Sequence, residues 1–428
     1  MAKKKMIHRI SAACVLAILV VFGACSGKKD AGSGGTAASG PVKIIVWEMY
    51  GPNNNFPQAT DLFNKSQSEV SVTDEFIPSH TELVQKVQVS SAAGSELPHV
   101  ILIDMFYAPI VNELTGLVDL NPYLENDPSI SPDDFYENLK NYSNIDGKQI
   151  SLHGYANNLI LFYNKKLFKD AGLDPEKPPV TWTDLVEYGQ KLLEAGILPV
   201  VFDFSGDSYY EHLSWMFQTL VWQNGGEMWD AGWQPKFNSA EGVEALQFIV
   251  DLIDNKISTL APPDDAFDQG KAAMLMGGCW SSSKFLDSLG SDLGAAPLPY
   301  SKAPATNTGG EHLMIVPSDK VHEDASWKYV SFMLSEPAEV LICSTGKVPT
   351  RKSVANSQAY QTYIDGDPGI KAAFLSMPNA RMRAASSNYA AASEAMSVPI
   401  SQAIYGRINS KDAVQAGYDA FLQAINRK

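Results

Sequence analysis

The chain predicts an α/β protein of two or more domains, and two observations say so. It has 428 residues, 45% of them hydrophobic, enough for a large core and more than one domain usually holds. From Val42 onward, short apolar β-branched runs alternate with runs of helical period. The charged residues form no basic stripe, which argues against a nucleic-acid binder and says nothing about fold.

The elements follow in order. The run KIIVWEMYG after Val42 is apolar and ends in glycine, which predicts a buried strand. Pro57 to Ser66 predicts a helix, Val70 to Ile77 a second strand, and Thr81 to Ala93 a helix with Leu83, Val84, Val87 and Val89 at its apolar positions. HVILID (His99 to Asp104) is a third strand, apolar until its final carboxylate. Strands alternating with crossover helices imply a largely parallel sheet covered on both faces, with ligands gathering at the carboxyl ends of the strands. Trp47, Glu48 and Tyr50 stand at one such end, and Asp104, Phe106 and Tyr107 at another. Further on, LILFYNKKLF predicts a strand running into a helix. Thr181 predicts an N-cap with Asp184 at the third helical position, close to a capping box. ILPVVFDF and GKAAMLMGGCW predict two more strands, and the last hundred residues are mainly helical. No internal repeat is evident.

The N-terminus reads differently. Lys3, Lys4, Lys5 and Arg9 precede an apolar run, Ile10 to Phe22, that is shorter than the roughly 20 residues a membrane span needs. Basic start, short apolar run and the small pair Gly23-Ala24 predict an export signal over residues 1–24. The next residue is Cys25, and small residues before such a cysteine resemble the lipobox of bacterial lipoproteins, although Phe22 departs from the usual Leu or Val. The resemblance implies lipidation at Cys25 and an extracytoplasmic, membrane-anchored location. Residues 25–40 are rich in Gly, Ser and Ala, as expected of a flexible tether. Without residues 1–24, which hold four basic and no acidic residues, the formal charge falls from −15 to about −19. That balance argues against nucleic-acid partners. Of the four cysteines, Cys279 and Cys343 remain, as one disulfide or as two buried thiols. No Cys/His cluster calls for a metal, and no cofactor is expected.

Five stretches, in order, resemble the carbohydrate-uptake solute-binding proteins of ABC importers, similar to maltose-binding and glycerol-3-phosphate-binding proteins. They are LILFYNKKLFKDAGLDPEKPPVTWTDLVEYGQKL, LVWQNGGEMWD (Leu220 to Asp230), GKAAMLMGGCW, the pair GAAPLPY and GGEHLMIVP, and STGKVPTRKS (Ser344 to Ser353). The resemblance covers about residues 41–428. It implies a two-lobed periplasmic-binding-protein-like fold with a cleft between the lobes and several hinge crossings. The first lobe would hold 41–154 and 298–347, the second 155–297 and 348–428, with crossings near Gly154, Leu298 and Val348. It also implies a monomer that captures a sugar and delivers it to membrane permease subunits.

Sugars offer flat C–H faces to aromatic rings and hydroxyl rims to carboxylates, amides and guanidinium groups, so the site should mix both. Trp47 and Glu48 stand at the first strand end; core packing accounts for them equally well. Asp104 ends an apolar strand, where a buried carboxylate needs a partner. By resemblance, Trp280 is a ring that stacks on ligand, and Gly309, Gly310 and Glu311 bring backbone close to it. Trp222, with Trp215 and Asn224, is a weaker candidate that core packing also explains. Arg381 and Arg383 lie in a stretch that borders the cleft in relatives, and surface solvation suits at least one of them. The residues that take a phosphate in glycerol-phosphate binders look changed at SHTEL (Ser79 to Leu83) and IDMFY, which favours a neutral saccharide. The alternatives are glycerol-phosphate binding by the same fold and an exported carbohydrate-active enzyme. GxSxG, HExxH, Walker A and strand-linked GxGxxG are all missing.

Overall fold

The computed structural model describes residues 40–51, 55–140, 142–202 and 209–427. The expected export signal, Cys25 and all of the tether but Gly40 lie outside them. Among the described residues thirteen strands run in chain order: β1 Val42–Glu48, β2 Val70–Phe76, β3 Val100–Asp104, β4 Asn144–Ile145, β5 Lys148–Gln149, β6 Leu152–His153 and β7 Asn157–Asn164. There follow β8 Leu198–Phe202, β9 Ala272–Gly278, β10 Leu293–Pro297, β11 Thr306–Gly309, β12 Glu311–Ile315 and β13 Ala380–Met382. They form two mixed sheets and one small hairpin, β4-β5. The first sheet has the order β2-β1-β3-β12-β6, and the second β13-β11-β7-β9-β8 with β10 also paired to β7.

Each sheet is buried on both faces, and the two-residue alternation of a strand shows how. In β1, Ile44 and Val46 enter one apolar core while Trp47 enters another. In β3, Val100 and Leu102 share the first of these cores, and Ile101 and Ile103 the second. Strand β7 does the same in the second sheet: Leu159, Leu161 and Tyr163 face one core, Ile160 and Phe162 the other. Strands that are apolar throughout are therefore central strands between two helical layers.

The helices begin where their caps dictate. Ser79 accepts from Glu82 N at the start of His80–Ala93. Thr181 and Asp184 complete the expected capping box of helix Trp182–Glu194, an arrangement whose cap is worth about 1 kcal/mol. Cys279 and Cys343 are both buried and unpaired. Among the described residues no helix is long and apolar enough to cross a membrane.

Two expectations need correction. The sheets are not largely parallel: β1 pairs in parallel with β2 and β3, but β12 runs antiparallel to β3 and β6. In the second sheet β7 is antiparallel to β9, β10 and β11. The reason is that β12 enters the first sheet directly from the second through β11, with no crossover helix to reverse it. The chain also does not change sheets near Leu298, which is buried in the core of the second sheet after β10. It continues through β11 and crosses at Gly310, so residues 298–309 stay with the second sheet. Gly310 has φ 138°, and a Cβ there would lie 1.9 Å from Tyr155 O; only glycine fits. The crossings lie side by side, with Gly154 N donating to Glu311 O at 2.7 Å and Ala156 exchanging two 2.8 Å bonds with Val348. After Val348 part of the chain returns to the first sheet, where Tyr360, Ile364 and Ile370 join its core.

Candidate functional site

The ends of the two sheets meet around Arg383, just beyond β13. Its side chain is fully buried, donating from Nη2 to Asp104 Oδ1 at 2.7 Å and from Nη1 to Glu211 Oε1 at 3.1 Å. Asp104 ends β3 of the first sheet, whereas Glu211 lies on helix Tyr209–Gln223, packed on the second. One guanidinium thus ties the two halves together. Its flat faces are covered as well, with Cζ 4.1 Å from the Trp215 ring centroid and 4.5 Å from that of Phe106.

The first sheet brings acceptors to this point. Glu311, the first residue of β12, is 4% exposed and takes a hydrogen bond from Tyr50 Oη on Oε1. Its Oε2 is buried without a partner. His80, at the start of its helix, stacks on Tyr107 with ring centroids 5.2 Å apart, and its Nε2 is likewise buried and unpartnered. The closest ligating atoms of His80, Asp104 and Glu311 lie within 4.8 Å of one another. Burial pushes Glu311 up to about 8, with the Asp104 charge adding to it. It also pushes Asp104 up, against the pull of Arg383. His80 is pushed down to about 4, by burial first and then by Arg383, so its imidazole is neutral.

The second sheet brings rings and amides. Trp215 and Trp280 stand edge to face with centroids 5.7 Å apart, and His212 lies 6.1 Å from Trp280. Gly278 makes room for the Trp280 ring, since a Cβ at Gly278 would fall 2.1 Å from it. A Cβ at Gly309 would meet Asn157 Oδ1 at 2.7 Å and Arg383 Nη2 at 2.8 Å, so Gly309 lets these groups converge. The Asn157 Oδ1 is also buried without a partner. Aromatic side chains of the second sheet and polar side chains of the first therefore come together where the two sheets end, the mixture of groups that suits a polar ligand with apolar faces.

The sequence profile of the bacterial extracellular solute-binding proteins matches residues 51–340. The chain belongs to that family. It is 24% identical over 399 residues to the arabinooligosaccharide-binding protein of Bacillus subtilis (strain 168), covering 87% of this chain and 88% of that one. To the diacetylchitobiose binding protein DasA of Streptomyces coelicolor it is 24% identical over 395 residues, 87% and 86% of the two chains. Its fold superposes with a TM-score of 0.82 on a cyclic alpha-maltosyl-1,6-maltose binding protein from Arthrobacter globiformis. Those two are 31% identical, over 90% of this chain and 99% of the other.

Within this solute-binding protein the expected site residues fall into two groups. Asp104, Trp280, Gly309, Gly310, Glu311 and Arg383 lie around the meeting of the sheets. Trp47, Glu48 and Trp222 make their contacts elsewhere. Trp47 packs with Ile77, Leu83 and Val87 in the core, with Lys86 Nζ 4.0 Å from its ring centroid. Glu48 Oε2 accepts from the backbone N–H groups of Tyr50 and Gly51 and so holds the turn after β1. Trp222 is buried beside Trp229, with the Arg381 guanidinium 5.0 Å from its ring, and Arg381 pairs with Glu227 on the surface. Sequence reasoning missed His80, Glu211 and Asn157. Glu211 and Trp215 stand four residues apart on one helical face, a spacing that could have pointed to them.

Proposed function

We propose that this protein captures a saccharide between its two sheets and hands it to the membrane subunits of an ABC importer. The observation that carries this reading is the pairing of the Trp215–Trp280 wall with the buried polar groups of Asp104, Glu311 and Arg383. Rings stack on sugar C–H faces, and the polar groups take the hydroxyls. The names of the relatives, which include binders of arabinooligosaccharide and diacetylchitobiose, support the same class. We divide the chain into two lobes, each built on one sheet and joined at Gly154–Ala156, Gly310 and Val348, and read them as closing on ligand by hinge motion. The chain works as a monomer and binds without catalysis. Lipidation at Cys25 anchors it outside the cytoplasm, so Cys25→Ser should release it to the soluble fraction.

A glycerol phosphate suits the site less well. A phosphate in a closed cleft needs uncommitted charge-assisted donors, whereas Arg383 already faces Asp104 and Glu211 and Arg381 faces Glu227. The test is a thermal-shift screen over mono-, di- and oligosaccharides and glycerol phosphates, with calorimetry on the hits. A saccharide should stabilise the protein, and glycerol 3-phosphate should not. Stabilisation by glycerol 3-phosphate alone would overturn the saccharide reading.

A further inference from the structure

The first-sheet side of the site has buried acceptors left over, and most of the donors beside them are committed, although Arg383 Nε stays unpartnered. Arg383 Nη2 is used by Asp104, Nη1 by Glu211, and Tyr50 Oη by Glu311 Oε1. Still buried without partners are His80 Nε2 and Glu311 Oε2. A buried acceptor left unpaired costs free energy until a ligand donor reaches it. Two carboxylates, Asp104 and Glu211, pair with the Arg383 guanidinium, and a third, Glu311, interacts with the buried ammonium of Lys347, so three acidic groups here face two cations.

A group that satisfies His80, Asp104 and Glu311 together must bring several donors and a positive charge. A sugar hydroxyl brings one donor and no charge. A primary ammonium brings three donors in a tetrahedral fan. At about 2.8 Å per bond its acceptors stand about 4.6 Å apart, a span that fits within the 4.8 Å limit on these three residues. A divalent metal draws the same residue types, with ligand atoms about 3.4 Å apart around bonds of about 2.1 Å, a span also inside that limit. But such an ion would sit against the guanidinium that already holds Asp104 at 2.7 Å. One positive charge fits this place better than two.

We propose that His80, Asp104 and Glu311 bind the ammonium group of an amino-bearing saccharide, with Trp215 and Trp280 beside its rings. This inference rests on the saccharide reading and narrows it. Glu311, which burial holds up to about 8, releases its proton to solvent as the ammonium arrives and becomes its counter-charge; Asp104 shares its charge with Arg383, and the neutral His80 accepts at Nε2.

Calorimetry on the full chain with three disaccharides tests this: fully de-N-acetylated chitobiose, N,N′-diacetylchitobiose and cellobiose. The free-amine disaccharide should bind at least about tenfold more tightly than cellobiose, the scale of a charge-assisted hydrogen bond in a buried site. In Glu311→Gln that ratio should fall to within about threefold, since the amide keeps the shape and loses the charge. If Glu311→Gln fails to fold by circular dichroism, His80→Ala supplies the same ratio. Cellobiose binding as tightly as the free amine would overturn the inference and leave the saccharide reading standing. Binding of no saccharide in the screen would overturn both. Zn2+ titrated alone that binds the wild type and not His80→Ala would give the three residues to a metal instead.

Discussion

The two sheets deliver unlike halves of one site. The first ends in acceptors, Asp104 and Glu311, with His80 above them. The second ends in rings, Trp215 and Trp280, and contributes the guanidinium of Arg383. A polar floor alone would leave the C–H faces of a sugar in water, and an aromatic wall alone would leave its hydroxyls unpaired. The division teaches that recognition depends on how the sheets are joined, because each half is complete only against the other.

The join gives the largest expected effect. In Gly310→Ala the new Cβ would stand 1.9 Å from Tyr155 O, between two backbone crossings that cannot both stay in place. We expect a loss of stability of about 4 kcal/mol or more, the range of strained backbone sites combined with overpacking. Urea denaturation measures it, and a near-native midpoint would show that the crossings can part freely. Next comes the bridge itself. Arg383→Ala leaves Asp104 and Glu211 without their cation, and removing one partner of a buried pair costs about 3–5 kcal/mol. Arg383→Lys should recover only part, because an ammonium cannot span both carboxylates and stack between two rings. Full recovery by lysine would mean that charge alone matters there.

The smallest effect is the dependence of stability on pH. Burial pushes Glu311 and Glu339 up to about 8 and Asp74 up to about 7. Between the ordinary values of 4.5 and 3.8 and these raised ones, the folded chain holds protons that the unfolded chain has released. Stability therefore falls as pH rises through that window. Burial pushes His80 down to about 4 and His153 down to about 3, from 6.5. Below 6.5 the unfolded chain binds protons that the folded one refuses, so this contribution is lost as pH falls. Above 6.5 the histidine contribution fades and the raised acids set the slope. Urea midpoints should decline from pH 6.5 to 8, and Glu339→Gln, whose carboxylate faces Thr350, should flatten the decline. An unchanged slope in that variant would place the titration elsewhere.

Much of the architecture was legible because strands buried on both faces carry an unbroken apolar signature, as in β1, β3 and β7. The Thr181–Asp184 capping box was legible for a local reason, since its partners stand three residues apart. Strand direction was not. β11 and β12 are separated by one glycine, and nothing in the surrounding residues shows that Gly310 moves the chain between sheets. The site was legible in part. Asp104 stood out as a carboxylate closing an apolar strand, and Trp280 and Glu311 came from resemblance. Trp47 packs in a core, and an aromatic ring at a strand end reads the same whether it faces a cleft or the underside of a helix. His80 was hidden because its neighbours Asp104 and Glu311 lie 24 and 231 residues away, and Glu211 because Arg383 lies 172 residues away.

The central claim is that both sheets contact the same saccharide. Calorimetry with the saccharide that gives the largest thermal shift, run on wild type, Trp280→Ala and Glu311→Gln, tests it most directly. Trp280→Ala should remain folded and lose about 1–3 kcal/mol of affinity, the range for an aromatic contact. Glu311→Gln should weaken binding from the opposite side. Native affinity in either variant, with the fold intact, would contradict a site shared by the two sheets.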